Sequence, residues 1–326
     1  MVDSEPRVIN DEVYGLTEIS EPVLLDLIDS KTLQRTKGIS QLGLPQEYHY
    51  LKTFSRFDHN VGAMIVVKRL GGSLDEQIAA ILHDASHTAF SHMIDWIVGS
   101  QERADFQDNG HGEFLRNSDA AQVLDKYGLD IEKYLDYHPY TLLERDTPSL
   151  CADRIDYGLR ELKVTGFEPG IVPGCINSLV NFNGRIAFDN LLVARDFGFG
   201  FLKLQTEDWG NPKPISRYIL FVNRLKEAME LGILQLSDFK EDDSFVLEKI
   251  KSGDSGLWQR FEELRKPLEE IPDYPEIRGL VVKHKFRYVD PEFLEDRQMI
   301  RLSQVDRAFS EAVESAKQNN DTGIML

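Results

Sequence analysis

Four of the chain's eight histidines fall between Phe54 and Trp96, at His59, His83, His87 and His92. His83 is followed directly by Asp84, and an apolar run, Ile78-Ala79-Ala80-Ile81-Leu82, leads into the pair. A buried helix that ends in an imidazole and a carboxylate must satisfy both groups, with either a metal ion or a protein hydrogen-bond network. His59 stands one helix earlier, and the stretch CADRIDYGLRE supplies a further carboxylate at Asp153. Two imidazoles and two carboxylates form a mixed nitrogen and oxygen donor set. Such a set suits Mn²⁺, Fe²⁺, Co²⁺, Zn²⁺ or Mg²⁺ rather than a thiolate-seeking ion. Donors drawn from three separate segments are also how an open, catalytic metal site is built. On residue chemistry alone, a metal centre and a hydrogen-bonded histidine cluster explain the pattern equally well.

The elements that must position these residues are mostly helical. Residues 1–20 are polar and weakly periodic, which predicts an extended arm with a short strand near Val8-Ile9. Pro22 stands in a helical first turn, and Val23, Leu24, Leu27 and Ile28 form one apolar stripe. A short helix over Lys31 to Gln41 follows, then one over Asn60 to Leu70, stopped by Gly71-Gly72. Ser73 with Glu76 reads as a capping box opening the helix that delivers His83-Asp84. Further helices are predicted around Gly112–Tyr127, Ile131–Leu135 and Ser149–Leu162. Leu179 to Phe188, with Asn183-Gly184 at its centre, reads as a β-hairpin. Helical period returns over Ser216–Leu231 and Asp243–Lys251, Gly279–Val289 reads as a strand, and the tail from Ala316 is expected to fray.

At 326 residues the chain has the length for one large domain or two ordinary ones. The 37 basic and 55 acidic side chains give a net charge of −18, which argues against binding nucleic acid or an anionic membrane. It leaves room for a small anionic substrate, since a few arginines and a cation make a locally positive pocket. Two cysteines, Cys151 and Cys175, argue against a disulfide framework. The first residues lack a signal-peptide pattern, and no apolar run approaches the roughly 18–20 residues that span a membrane. The expectation is a soluble, cytoplasmic protein.

His59, the His83-Asp84 doublet and Asp153, in that order, resemble the H…HD…D pattern of the HD-domain metal-dependent phosphohydrolases. The flanks SRFDHNVG (55–62), LHDASHTAFSHMID (82–95), NGHGE (109–113) and ADRIDYGLRE (152–161) are similar to one branch of that superfamily. This branch is the deoxynucleoside triphosphate triphosphohydrolases related to the SAM-and-HD-domain protein. The stretch from Gln34-Arg35 to Gln41-Leu42-Gly43 resembles the same branch, and the likeness extends from about Pro22 to Pro291. The resemblance implies a mainly α fold: an HD-domain helical bundle over 21–175, then a smaller mixed α/β part over 176–315 that carries the hairpin. The arm 1–20 and a flexible tail 316–326 complete the division, with a boundary near Phe167–Pro173.

By the same resemblance His59, His83, Asp84 and Asp153 are the ligands of a divalent metal. His87, His92 and His111 match histidines placed beside the phosphates. His92 is the candidate general acid, and Asp95, three residues on, can hold its tautomer. Arg56 and Arg154 are candidate phosphate clamps, because guanidinium geometry matches phosphate oxygens. Tyr157, Glu161, Gln41 and Leu42 match positions that contact the sugar. His49, His138 and His284 match nothing in the family and are expected to be structural or exposed.

The region DWGNPKPISRYILFVNRLKEAME departs from the branch pattern. Arg217 and Tyr218 can supply part of the set that grips the outer phosphates and base, but the expected histidine is missing. The Ala85–Ala89 loop lacks the usual glycines and proline, and the chain length leaves little room for allosteric nucleotide sites. The expectation is a metal-dependent phosphohydrolase acting on a nucleotide, foremost a deoxynucleoside triphosphate split into nucleoside and triphosphate, in a homo-oligomer. The alternatives are an HD-type phosphatase for nucleoside monophosphates or another small phosphoester, and a non-catalytic nucleotide-binding sensor.

Overall fold

The computed structural model describes residues 5–49, 51–103, 105–267, 274–283 and 285–326, so His284 lies outside the described residues. The chain is mainly helical, with small sheets. Pro22–Asp29 is a helix with Pro22 in its first turn, and its stripe of Val23, Leu24, Leu27 and Ile28 is buried. The apolar face has no other place to go, and burying it supplies most of the helix's stability.

Helix Arg56–Arg69 opens with a reciprocal cap: Ser55 accepts from the Asp58 amide while Asp58 accepts from Ser55. That cap fixes the first turn, which carries His59. The chain turns at Gly71, whose φ of +73° suits glycine, and enters helix Leu74–Leu82. Here Ser73 caps the Glu76 amide, but the reciprocal bond is absent. The Glu76 carboxylate instead accepts from the Leu142 amide at 2.7 Å and ties a distant loop to the helix start.

The region predicted as one helix over Gly112–Tyr127 is two, Phe106–Arg116 and Asp119–Lys126, and Ile131–Tyr134 is a single 3₁₀ turn. Helix Ala152–Thr165 then carries Asp153 in its first turn.

The hairpin forms as predicted, Leu179–Phe182 against Arg185–Phe188, with Asn183 and Gly184 at φ of +54° and +77°. Both central residues are left-handed, which matches the strand twist. Strand Glu292–Glu295 adds parallel to the second arm and Gln298–Arg301 completes a four-stranded sheet. Residues 7–19 form a second hairpin rather than an open arm, Arg7–Asp11 against Gly15–Ile19.

Helix Leu191–Lys203 escapes sequence reading because Gly198 and Gly200 interrupt its pattern. A Cβ on Gly198 would sit 3.0 Å from Leu302 and Phe309, and one on Gly200 would sit 3.2 Å from Ile171 and Leu162. The glycines let neighbouring elements approach the helix backbone closely.

Within Gly279–Val289 only Val281–Val282 pairs as a strand, and its partner is Ile324–Met325. Helix Arg307–Thr322 therefore runs on past Ala316, and the chain end is pinned where fraying is expected. The principal hydrophobic core links Tyr14, the bundle, Val172, Phe188, Phe197 and Phe293, and so crosses the 167–173 segment without a break. A second core packs Phe90 and Met93 against Phe221, Phe239 and Phe261.

Candidate metal and phosphoryl site

Three helix ends meet at one point. His59 comes from the start of Arg56–Arg69, His83 from the end of Leu74–Leu82, and Asp153 from the start of Ala152–Thr165. His59 Nε2 lies 3.1 Å from His83 Nε2, 3.1 Å from Asp153 Oδ1 and 3.5 Å from Asp84 Oδ2. His83 Nε2 is 3.6 Å from Asp153 Oδ1 and 3.8 Å from Asp84 Oδ2.

The other ring nitrogens show how this set is held. His59 Nδ1 donates to Asp156 Oδ2 at 2.8 Å, and His83 Nδ1 donates to the Ala80 carbonyl at 2.7 Å. Each bond places the ring proton on Nδ1, so the two Nε2 lone pairs face each other beside two carboxylates. Neutral, that arrangement is repulsive. A cation held by these residues would remove the repulsion, so the donor set fits a divalent metal; His59, His83 and Asp84 cluster closely enough to hold one, with Asp153 beside both rings. The electrostatics agree: burial alone would depress His59, but Asp153 and Asp156 overcome it and lift its pKa to about 9. The cluster attracts positive charge.

Behind these donors runs a buried ion chain that sequence reading missed. Asp156 accepts from Arg160 Nε at 2.8 Å, and Arg160 Nη2 donates to Asp11 at 2.6 Å. Gly62 makes room for it, since a Cβ there would overlap the Asp156 carboxylate and the Arg160 guanidinium. The available signal was Asp156 itself, three residues after Asp153 and hence on the same helix face.

In front of the set lies a cavity of about 1130 Å³, roomy enough for a nucleotide-sized ligand. His83, Asp84, Asp153, Arg56, His87, His92, His111, Arg154, Tyr157, Glu161, Gln41, Leu42, Arg217 and Tyr218 all line it. His59 and Asp95 stand buried behind the wall. His49 and His138 also border the cavity, as do Arg145, Lys285, Phe286, Arg287, Tyr288 and Arg301, to which sequence reading gave no role.

His92 Nδ1 meets Asp95 Oδ2 at 3.2 Å, and Asp95 is fixed in turn by the Ser100 hydroxyl and the Phe106 amide, each at 3.0 Å. His87 Nε2 lies 3.3 Å from Asp84 Oδ1, its Nδ1 has no partner, and burial beside Arg56 lowers its pKa to about 3. Gln107 donates to the Ser86 hydroxyl, which leaves that hydroxyl to donate to His111 Nδ1 at 2.6 Å. His111 therefore carries its proton on Nε2, a buried donor without a partner among the described residues, and burial lowers its pKa to about 4.

The expected clamps are differently committed. Arg56 pairs with Asp84 and donates to Ser91 at 2.9 Å. Arg154 is held by Glu144 at 2.9 Å and by the Arg145 carbonyl at 2.6 Å. Arg217 donates to the Tyr48 carbonyl at 2.9 Å and to the Lys266 carbonyl. Tyr218 packs edge-on against Trp96, and Glu161 accepts from Trp209 Nε1 at 2.6 Å. Burial, with Asp208 nearby, raises Glu161 to about 8.

No family model matches the chain. An uncharacterised Bacillus subtilis protein, YdhJ, is 31% identical over 98% of this chain and 98% of its own length. Metal-dependent phosphohydrolase cns2 of Cordyceps militaris is 31% identical over 90% of this chain and 86% of its own length. A shorter likeness, 34% identity over 27% of this chain and 18% of the relative, is to the bovine deoxynucleoside triphosphate triphosphohydrolase SAMHD1. Among solved structures, a hypothetical protein from Aquifex aeolicus aligns with a TM-score of 0.67 at 18% identity, over 94% of this chain and 93% of that one. A phosphohydrolase from Bacteroides thetaiotaomicron aligns at 0.57 and 20% identity, over 79% and 72%. At such identities the likeness is one of fold.

Proposed function

This chain belongs to the HD-domain metal-dependent phosphohydrolases, and on that premise we propose that it hydrolyses the phosphate ester of a nucleotide. The leading substrate is a deoxynucleoside triphosphate, cleaved to nucleoside and triphosphate. The observation that carries the reading is the meeting of His59, His83, Asp84 and Asp153 at the floor of a nucleotide-sized cavity whose wall holds Arg56, His87, His92 and His111.

In this reading those four residues hold the metal. A divalent ion there supplies charge stabilisation to the phosphoryl oxygens and makes water acidic enough to attack phosphorus near neutral pH. Arg56 and the His111 Nε2 proton bind phosphoryl oxygens. As water adds to the α-phosphorus and the ester bond breaks, His92 gives its proton to the departing sugar oxygen, and Asp95 stabilises the protonated imidazole until then. Tyr157, Glu161, Gln41 and Leu42 form the wall for the sugar, and Tyr218 that for the base. Manganese or iron as the native ion, which rests on the mixed nitrogen and oxygen donor set, a cytoplasmic setting, which rests on the two cysteines, and a homo-oligomeric assembly, which rests on the family resemblance, belong to the same proposal. No helix among the described residues is long and apolar enough to cross a membrane.

A second reading has one observation in its favour. Arg154 and Arg217 already donate to acceptors of the chain itself, which limits the cations free for three phosphates. That favours a nucleoside monophosphate or another small phosphoester.

The deciding experiment incubates the protein with nucleoside mono- and triphosphates and Mn²⁺, Mg²⁺, Co²⁺ or Fe²⁺, and reads products by mass spectrometry. Intact triphosphate with free nucleoside is expected. Orthophosphate from monophosphates alone would establish the second reading. Tight nucleotide binding without turnover under every metal would leave a sensor. Full activity in a His83→Ala, Asp84→Ala double variant would overturn the metal-centred mechanism.

A further inference from the structure

Segment 285–290 reaches the cavity from the far end of the chain, and Lys285, Phe286, Arg287 and Tyr288 line it. It has no regular secondary structure and is anchored twice: the Arg287 amide donates to Gln205 Oε1 at 2.8 Å, and the Asp290 amide donates to the Pro148 carbonyl at 2.9 Å. Gln205 is itself buried, 2% exposed, in the turn between helices Leu191–Lys203 and Pro212–Glu230. The Arg287 backbone is thereby fixed before any ligand arrives.

Its side chain is in a different situation from the other cavity arginines. Arg56, Arg154 and Arg217 are bonded as described above, and Arg301 lies 3.6 Å from Glu292. Among the described residues the Arg287 guanidinium makes neither a hydrogen bond nor an ion pair, and it is half-buried. A guanidinium removed from bulk water and left unpaired, in a chain with net charge −18, has lost hydration without replacement. Arg145 lines the same cavity and is similarly unengaged among the described residues, while the Arg287 charge acts on His92, Tyr157, Glu161 and Tyr218, which line the cavity with it.

We propose that Arg287 is the binding residue for a second phosphoryl group of the substrate, one that is not attacked. This rests on the phosphohydrolase reading of the site, which supplies the first phosphoryl group, and it assigns to segment 285–290 the outer-phosphate grip that the helix carrying Arg217 does not provide. A planar guanidinium matches two phosphoryl oxygens at once. Its anchored backbone keeps the loss of freedom on binding small.

The test titrates pyrophosphate and orthophosphate into the full-length protein with Mg²⁺ in excess of both, by calorimetry, for wild type, Arg287→Ala, Arg287→Lys and Arg145→Ala. Arg287→Ala is expected to weaken pyrophosphate at least tenfold and orthophosphate much less. Arg287→Lys should recover part of the loss, and Arg145→Ala should change little. Since the Arg287 side chain bonds to nothing in the fold, the thermal midpoint without ligand should be unchanged in Arg287→Ala. Equal weakening of both anions, or an Arg145→Ala effect as large, would mean general charge and overturn the proposal, as would unchanged pyrophosphate binding. The two readings fail separately. Pyrophosphate held through Arg287 by a protein that turns over no nucleotide would sink the nucleotide reading alone. Nucleotide turnover with pyrophosphate affinity indifferent to Arg287 would sink the subsite alone.

Discussion

Asp156 accepts the Nδ1 proton of His59 at 2.8 Å, with both side chains fully buried. The carboxylate sets the tautomer that aims the Nε2 lone pair at His83, Asp84 and Asp153, and the Arg160 ion pair in turn sets the carboxylate. Asp156→Asn keeps the shape but weakens the acceptor. Manganese affinity should fall about 10- to 100-fold, the range for partners of metal-ligating histidines. A calorimetric titration checks it. Unchanged affinity would mean that His59 is oriented by packing alone.

Gly62→Ala should disturb the same chain from the other side. The added methyl has no space, because Asp156 and Arg160 occupy it. Overpacking of this kind costs about 1–3 kcal/mol. Urea unfolding should show the loss, and metal affinity should drop with it. A loss of stability without a loss of metal affinity would separate Gly62 from the site.

His92→Ala should lower kcat by about 10²–10⁴ while leaving metal affinity near wild type, because the ring lies outside the proposed ligand set. Asp95→Asn should reproduce part of that loss and shift the basic limb of the pH–rate profile to lower pH, since Asp95 favours the protonated ring. If both variants kept their rate, the proton donor would have to be sought elsewhere in the cavity.

Glu161 predicts a pH dependence of stability. Burial raises its folded pKa to about 8, above its ordinary value of 4.5. Between those values the folded state holds a proton that the unfolded state has lost. The contribution is therefore complete below about 4.5 and declines as pH rises toward 8, by up to about 1.4 kcal/mol per pH unit. Glu161→Gln removes the titration, so unfolding free energies measured from pH 5 to 8 should decline less steeply than in wild type. Identical slopes would show that Glu161 is ionised in the fold.

The local elements and the order of the His- and Asp-bearing motifs are legible in the residues alone. The stripe Val23, Leu24, Leu27 and Ile28 needs only helical period, and the Asn183-Gly184 turn needs only two residues tolerant of positive φ. The convergence of His59, His83, Asp84 and Asp153 was legible because each motif is short and its spacing survives without coordinates. The tertiary structure decided what depends on contacts between segments remote in sequence. It separated Asp153, which faces the Nε2 atoms of His59 and His83, from Asp156, which stands behind His59, although both lie on one helix face. It paired the chain end with Val281–Val282 and brought Arg287 into the cavity. Residue types and periodicity carry local geometry, whereas these relations arise from how helices and sheets pack. Packing is fixed by shape across the whole core, which no single stretch of sequence contains.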